Sequence, residues 1–175
     1  MLNLSAVVPC YNEVETLPEM VRRLDAACRS VAGEHYEMVL VDDGSSDDTW
    51  ALMNALSAQY AQLVIVKLSR NHGHQLALSA GLSVARGDRI FVMDADLQDP
   101  PELLPRMMEL CDQGADVVYG KRTERLGETW FKRAACAVFY RILDRLVDID
   151  IPLDTGDFRL MTRKVLDILL AMPER

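Results

Sequence analysis

The sequence predicts one α/β domain, a mostly parallel, Rossmann-like sheet with helices on both faces, and three observations carry that expectation. Apolar runs of four to six residues alternate with segments of helical hydrophobic spacing from Leu4 to Tyr119, the pattern of βαβ units with right-handed crossovers. The first, second and fourth runs end in polar or acidic turns, where ligands of doubly wound sheets bind. At 175 residues, half of them hydrophobic and without a repeat or low-complexity tract, the chain is long enough for one substantial core.

Leu4 to Val8 is a first strand closed by Pro9, and from Glu15 onward Leu17, Met20, Val21, Leu24, Cys28 and Val31 recur at helical spacing. Met38 to Val41 is a second strand, ending in the turn-rich run Asp42 to Thr49, where Asp47 and Asp48 read as capping groups for a helix through about Gln59. Leu63 to Leu68 is a third strand, followed by a helix from His74 to Ala85 that Gly87 closes. Arg89 to Met93 is a fourth, a helix from about Glu102 to Cys111 follows, and Asp116 to Tyr119 is a fifth. The alternation then gives way to an amphipathic stretch, Thr129 to Val147, with Phe131, Ala134, Ala135, Val138, Ile142 and Leu146 on one face. Asp154 to Leu160 leads through a short strand into a last helix, Arg163 to Met172.

The fourth strand ends in Asp94-Ala-Asp-Leu-Gln-Asp-Pro-Pro101, whose prolines turn the chain out of the sheet into a helix start. In extended chain Asp94 and Asp96 point to one side, and like charges so close resist ionisation unless a cation lies between them. With the amide oxygen of Gln98 they form a hard donor set suited to Mg²⁺ or Mn²⁺, ions that complete their shell with water and substrate phosphates. An Asp-x-Asp pair alone also fits an ordinary polar loop.

A net formal charge of −8 argues against nucleic-acid binding, but the sign is uneven. Seven basic residues against three acidic ones between Lys121 and Arg145 give a local +4, a patch suited to an anionic partner. With the aromatic pair Trp130 and Phe131, it reads as a helix able to lie in a membrane interface, or as a packed helix with a solvated basic face. Arg122 and Arg125, just after the fifth strand, could grip a phosphate through paired hydrogen bonds. The four scattered cysteines form no Cys-x-x-Cys pair and read as free thiols of a reducing compartment. The N-terminus has no basic n-region, and no run reaches the roughly 18 apolar residues of a membrane span. Gly-x-Gly-x-x-Gly after the first strand and the Gly-x-x-x-x-Gly-Lys-Ser/Thr loop are both missing, which disfavours dinucleotide dehydrogenases and P-loop NTPases.

Five motifs in this order, Val8-Pro-Cys-Tyr-Asn-Glu13, Val41-Asp-Asp-Gly-Ser-Ser-Asp-Asp-Thr49, Arg70-Asn-His-Gly73, Asp94 to Pro101 and Gly156-Asp-Phe-Arg-Leu160, cover nearly the whole chain. In them the sequence resembles the family 2 glycosyltransferases of the GT-A fold, and among these the polyisoprenyl-phosphate glycosyltransferases related to dolichol-phosphate mannose synthase and bactoprenol glucosyltransferases. The resemblance implies a metal-dependent, inverting transfer of one sugar from a UDP- or GDP-linked donor to a polyprenyl phosphate at the cytoplasmic face of a membrane. It implies that Pro9, Tyr11, Glu13, Asp42 or Asp43, with Asp94 and Ala95, hold the nucleotide sugar. Asp94, Asp96 and Gln98 would hold the metal and diphosphate, Asp157 and Asp96 would serve the chemistry, and Arg122, Arg125 and Arg159 the acceptor phosphate. Such enzymes usually continue into transmembrane helices, so the 175 residues are expected to be a single catalytic domain, with residues 120–150 as the acceptor and membrane-interface segment. The Gln-x-x-Arg-Trp motif of processive members is missing, which favours single transfer over polymer synthesis.

Other readings stay open. Asp157 could sit in a structural turn with Arg159 as its partner. His72 and His74 read as loop or pocket-wall residues rather than metal ligands, and Trp50 and Trp130 as packing or interfacial residues rather than base-stacking platforms. A soluble or polysaccharide acceptor, a nucleotide-sugar-binding module without turnover and a homo-oligomer are compatible with the same residues.

Overall fold

The computed structural model describes residues 2–121 and 155–172. Strands β1 (Leu4–Cys10), β2 (Tyr36–Asp42), β3 (Leu63–Lys67) and β4 (Arg89–Val92) alternate with helices α1 (Leu17–Ala32), α2 (Thr49–Ser57) and α3 (His74–Val84). A short 3-10 turn (Pro101–Leu103) opens α4 (Leu104–Asp112), and β5 (Val117–Lys121), β6 (Thr155–Thr162) and α5 (Arg163–Ala171) follow. The chain divides into residues 1–119 with 157–175, which carry the core and the site, and residues 120–156. Apart from the ends of β5 and β6, the second group lies outside the described residues, and the expected 129–147 helix, Arg122 and Arg125 lie there with it.

The six strands form one sheet in the order β3-β2-β1-β4-β6-β5. β1 pairs in parallel with β2 and β4, β2 in parallel with β3, and β4 antiparallel with β6. The expected mostly parallel sheet is therefore present, with one antiparallel neighbour beside β4. Alternate side chains of the central strands feed two cores: Leu4, Ala6, Val8, Met38, Leu40 and Phe91 pack with buried residues of α1 and α4, while Val7, Val39, Val41, Ile90 and Val92 pack with α3 and α5. Burial on both faces is what the continuous apolar runs require. A T-shaped contact between Phe91 and Phe158, ring centroids 5.2 Å apart, ties β4 to β6.

Of the strand ends that differ from the expectation, two bear on the site and its support. β1 runs through Pro9 to Cys10 rather than closing at Val8. Its pairing with β4 stops at Val7 opposite Val92, whereas its pairing with β2 continues to Cys10 opposite Asp42. Pro9 thus sits where β1 has lost one neighbour, and its missing N–H costs no ladder bond. β2 begins two residues early, at Tyr36, and brings Glu37 into the sheet almost completely buried. That carboxylate accepts hydrogen bonds from Ser5 Oγ (2.7 Å) and from the backbone N and guanidinium of Arg86 (2.6 to 3.1 Å), so the buried charge is satisfied.

The loops at the carboxyl ends of β2 and β3 lie against one another. Gly44 adopts φ +67°, and a Cβ there would come within 2.3 Å of the Arg70 carbonyl carbon and 2.5 Å of the Asn71 nitrogen. Gly44→Ala is expected to destabilise the protein by about 2–4 kcal/mol, the sum of a left-handed penalty and a main-chain clash. A lower urea midpoint at unchanged m-value is the expected result; an unchanged midpoint would mean that the two loops separate freely.

Candidate active site

Doubly wound sheets bind ligands where the chain reverses its direction of travel across the sheet. Here β1, β2 and β3 step outward one way and β4 returns to the other side of β1, which makes the β1/β4 junction the switch point. The two strands part after Val7 and Val92, and a cavity of about 250 Å³ opens there. Pro9, Tyr11 and Glu13 from the end of β1, Asp43 from the end of β2, and Asp94, Ala95 and Asp96 from the end of β4 all line it. Seven of the residues expected to hold the donor or metal thus share one crevice. Asp42 lies fully buried in β2, and Gln98 is exposed on the loop after Asp96, outside the lining.

The loops are held by side chains of the same motifs. Asn12 adopts φ +56°; its N–H donates to Ser45 Oγ (3.0 Å) and its Oδ1 accepts from the Ser46 N–H (2.9 Å). Thr49 Oγ1 accepts from the Glu13 N–H (2.9 Å), and Thr16 Oγ1 donates to the Glu13 carboxylate (2.7 Å). Both oxygens of buried Asp43 accept backbone N–H groups, of His72 at 2.7 Å and of Gly73 at 2.9 Å. Asp43 therefore fixes the loop that starts α3 while still facing the cavity. Asp42 Oδ1 accepts from the Ser45 N–H at 3.1 Å, and its Oδ2 has no partner among the described residues. Of the two expected capping groups, Asp47 accepts from the Thr49 N–H at 3.0 Å, whereas Asp48 makes no side-chain cap bond.

A second cluster forms around Asp94. β4 and β6 pair with Val92 opposite Arg159, and continuing that register by two residues brings Asp94 level with Asp157. His74, the first residue of α3, reaches both: its Nε2 lies 2.7 Å from Asp157 Oδ2 and 3.6 Å from Asp94 Oδ1. Gln75 Nε2 donates to Asp157 Oδ2 at 3.3 Å, and Arg159 Nη1 lies 3.6 Å from Asp157 Oδ1. Asp157 thus stands behind the cavity wall, joined to it through His74, and is also paired with Arg159. His74 is a pocket-wall residue, as expected, but its reach to two carboxylates was not foreseen. The usable signal was its place at the carboxyl end of β3, where the switch-point rule sends loops toward the ligand.

The donor set fits a divalent cation. Asp94 Oδ1 is buried without a hydrogen-bond partner among the described residues, and single donor atoms of His74, Asp94 and Asp157 lie within 4.8 Å of one another. Burial raises the Asp94 carboxyl above the usual range; His74 opposes that rise, and Asp96, Asp157 and Asp99 add to it. The Cys10 thiol, also on the cavity wall, is pushed well up by burial, with Glu13 and Asp42 contributing, so it is not an activated nucleophile. Cys10, Cys28 and Cys111 are free and buried.

This fold is that of the GT-A glycosyltransferases, and comparison with known proteins agrees. The chain belongs to glycosyl transferase family 2, which it matches over residues 5–170. It is 46% identical over 174 residues to the uncharacterized glycosyltransferase YkcC of Bacillus subtilis (strain 168), covering 99% of this chain and 54% of that protein. It is 41% identical over 177 residues to the undecaprenyl-phosphate 4-deoxy-4-formamido-L-arabinose transferase of Enterobacter sp. (strain 638), covering 98% and 52%. The chain spans about half the length of these relatives. Among solved structures, a Pyrobaculum calidifontis mannosyltransferase in complex with GDP-Man and Mn²⁺ superposes with TM-score 0.68 at 22% identity, covering 95% of this chain and 46% of the other. S. aureus TarS 1-349 gives TM-score 0.68 at 18% identity, covering 96% and 49%; both show the shared fold. No described helix is long and apolar enough to cross a membrane.

The raised Asp94 value has a measurable consequence. An acid that holds its proton more tightly folded than unfolded loses folded-state stability as pH rises from its unfolded value, near 3.8, to its raised value. Asp94→Asn removes that loss, so in EDTA near neutral pH its melting temperature should exceed the parent's. The gap should close below about pH 4, where the parent carboxyl is itself protonated. A variant less stable than the parent at neutral pH would show that the charge is already compensated within the apo protein.

Proposed function

We propose that this chain carries the catalytic centre of a metal-dependent, inverting glycosyltransferase that moves one sugar from a UDP- or GDP-linked donor to a polyprenyl phosphate. The observation that carries the proposal is the convergence of Asp94, Asp96 and His74 at the switch-point cavity, with Asp157 bound to His74 and a buried Asp94 oxygen without a donor among the described residues. Asp94 and Asp96, with Gln98 beside them, would hold Mg²⁺ or Mn²⁺ against the donor diphosphate. A bound divalent ion supplies Lewis-acid neutralisation of the leaving diphosphate.

The remaining work belongs to the chain. Pro9, Tyr11, Glu13 and Asp43 line the donor end of the cavity and orient the nucleoside. Direct attack of the acceptor phosphate on the anomeric carbon, with departure of the nucleoside diphosphate, inverts that carbon in a single displacement. A lipid phosphate arrives ionised, because a phosphate monoester's second pKa is about 6, and needs no strong general base. Asp157, held by His74 and Gln75, then serves to orient the acceptor and balance charge. Arg159 beside it would contact the acceptor phosphate; Arg122 and Arg125, outside the described residues, are candidates for an anionic partner on sequence alone, in a basic segment that also suits a membrane surface. The relative named as an undecaprenyl-phosphate transferase supports the lipid acceptor.

Two measurements test the reading. UDP or GDP should raise the melting temperature of this chain strongly with Mn²⁺ and weakly in EDTA, and Asp96→Ala should remove the metal-dependent part. Equal shifts for parent and variant in both conditions would overturn the metal assignment. In a preparation that transfers sugar to polyprenyl phosphate, Asp157→Asn should lower turnover by more than about tenfold with donor affinity within about threefold. Retained turnover would return Asp157 to a structural turn.

A further inference from the structure

The proposed metal site rests on oxygen donors, and His74 adds a nitrogen to it. Its Nε2 is 2.7 Å from Asp157 Oδ2 and 3.6 Å from Asp94 Oδ1, and the three donor atoms lie within 4.8 Å of one another. In an octahedral shell with bonds of about 2.1 Å, neighbouring donors are about 3 Å apart and opposite donors about 4.2 Å apart. The 3.6 Å between His74 Nε2 and Asp94 Oδ1 falls between those two separations, while the 2.7 Å to Asp157 is a hydrogen bond. His74 is held in place from behind, because the Gly73 N–H next to it is bound by the buried Asp43 carboxylate at 2.9 Å.

We propose that His74 is a metal ligand of this chain, adding a nitrogen to the oxygen donors of Asp94 and Asp96 on the same cavity wall, in a mixed site that selects Mn²⁺ over Mg²⁺. Mg²⁺ is bound through hard oxygens and keeps most of its water, whereas imidazole is a good donor for first-row transition ions. A site of Asp94, Asp96 and Gln98 alone has little reason to distinguish the two ions. With His74 in the shell the balance tilts to Mn²⁺, and Co²⁺ should bind more tightly still. The inference rests on the metal-dependent reading above and adds the ligand and the preference to it.

His74 is exposed over 43% of its side chain, so substitutions there should leave the fold intact, which the apo melting temperature checks. Mn²⁺, Mg²⁺ and Co²⁺ are titrated separately into the 175-residue chain at saturating UDP or GDP, reading melting temperature and, for Mn²⁺, the loss of free-ion electron paramagnetic resonance signal. The parent should bind Mn²⁺ at least about tenfold more tightly than Mg²⁺, and His74→Ala should shrink that ratio to within about threefold by losing Mn²⁺ affinity while keeping Mg²⁺ affinity. His74→Gln, whose amide can still donate to Asp157 but offers a metal only a hard oxygen, should behave like His74→Ala. If both variants keep the parent's Mn²⁺ preference, His74 is not a ligand, although the metal-dependent reading survives. Recovery of the preference in His74→Gln alone would make His74 a holder of Asp157 rather than a ligand and overturns the proposal. If the parent binds none of the three ions, the metal-dependent reading falls and this inference with it.

Discussion

The parting of β1 from β4 after Val7 and Val92 is the constraint on which the site depends. Up to that point the two central strands satisfy each other's backbone groups; beyond it, each must find other partners. β1 keeps β2 as far as Cys10, and β4 leaves the sheet at Met93, whose N–H still reaches Val7 O at 3.3 Å. A parallel pair that diverges leaves a wedge between its strand ends, and buried apolar side chains on both faces keep that wedge rigid. Pro9 is accommodated because β1 is one-sided there, and the polar motifs that follow β1 and β4 become the two walls of the crevice.

Into that wedge the antiparallel strand β6 brings a further charge. Its register with β4 is fixed by four residue pairs and by the Phe91–Phe158 contact, so Asp157 falls level with Asp94. Like charges opposite one another across strands are destabilising, and burial of Asp94 adds to the cost. His74 from the other side of the crevice compensates part of this, and Gln75 and Arg159 a further part at Asp157. Sites that hold charge at a cost to the apo fold are commonly those that work on charged ligands.

Much of this arrangement was legible in the sequence, for physical reasons that differ from element to element. The strands were visible because burial on both faces forces continuous apolar runs, and α1 because its apolar spacing marks one face. The carboxylates of Asp94 and Asp96 were visible because an acidic pair after a buried strand needs an explanation. Glu37 was not, since a charge inside a strand reads as its start until the buried partners Ser5 and Arg86 are known. The extension of β1 through Pro9 was hidden for a related reason: whether a strand is one-sided depends on pairing, not on its own residues. The role of His74 is hidden in the sequence because its partner Asp157 lies 83 residues away, and no local spacing signals a contact made through β4/β6 register.

The two ends of the crevice are joined by one short path of covalent and hydrogen bonds. Asp43 lies at the end of β2 and binds the backbone of His72 and Gly73; the next residue, His74, holds Asp157. Gly44 permits this path, because only a residue without Cβ lets the β2 loop lie against Arg70 and Asn71. A shift of the β2 loop therefore moves the α3 start and, with it, the imidazole between Asp94 and Asp157. Packed contacts of this kind have little compliance, so the Asp43 wall of the crevice and the cluster of Asp94, His74 and Asp157 are set by the same loop. The clustering of motifs in separate parts of the sequence follows from that coupling: each supplies one support of a single rigid crevice.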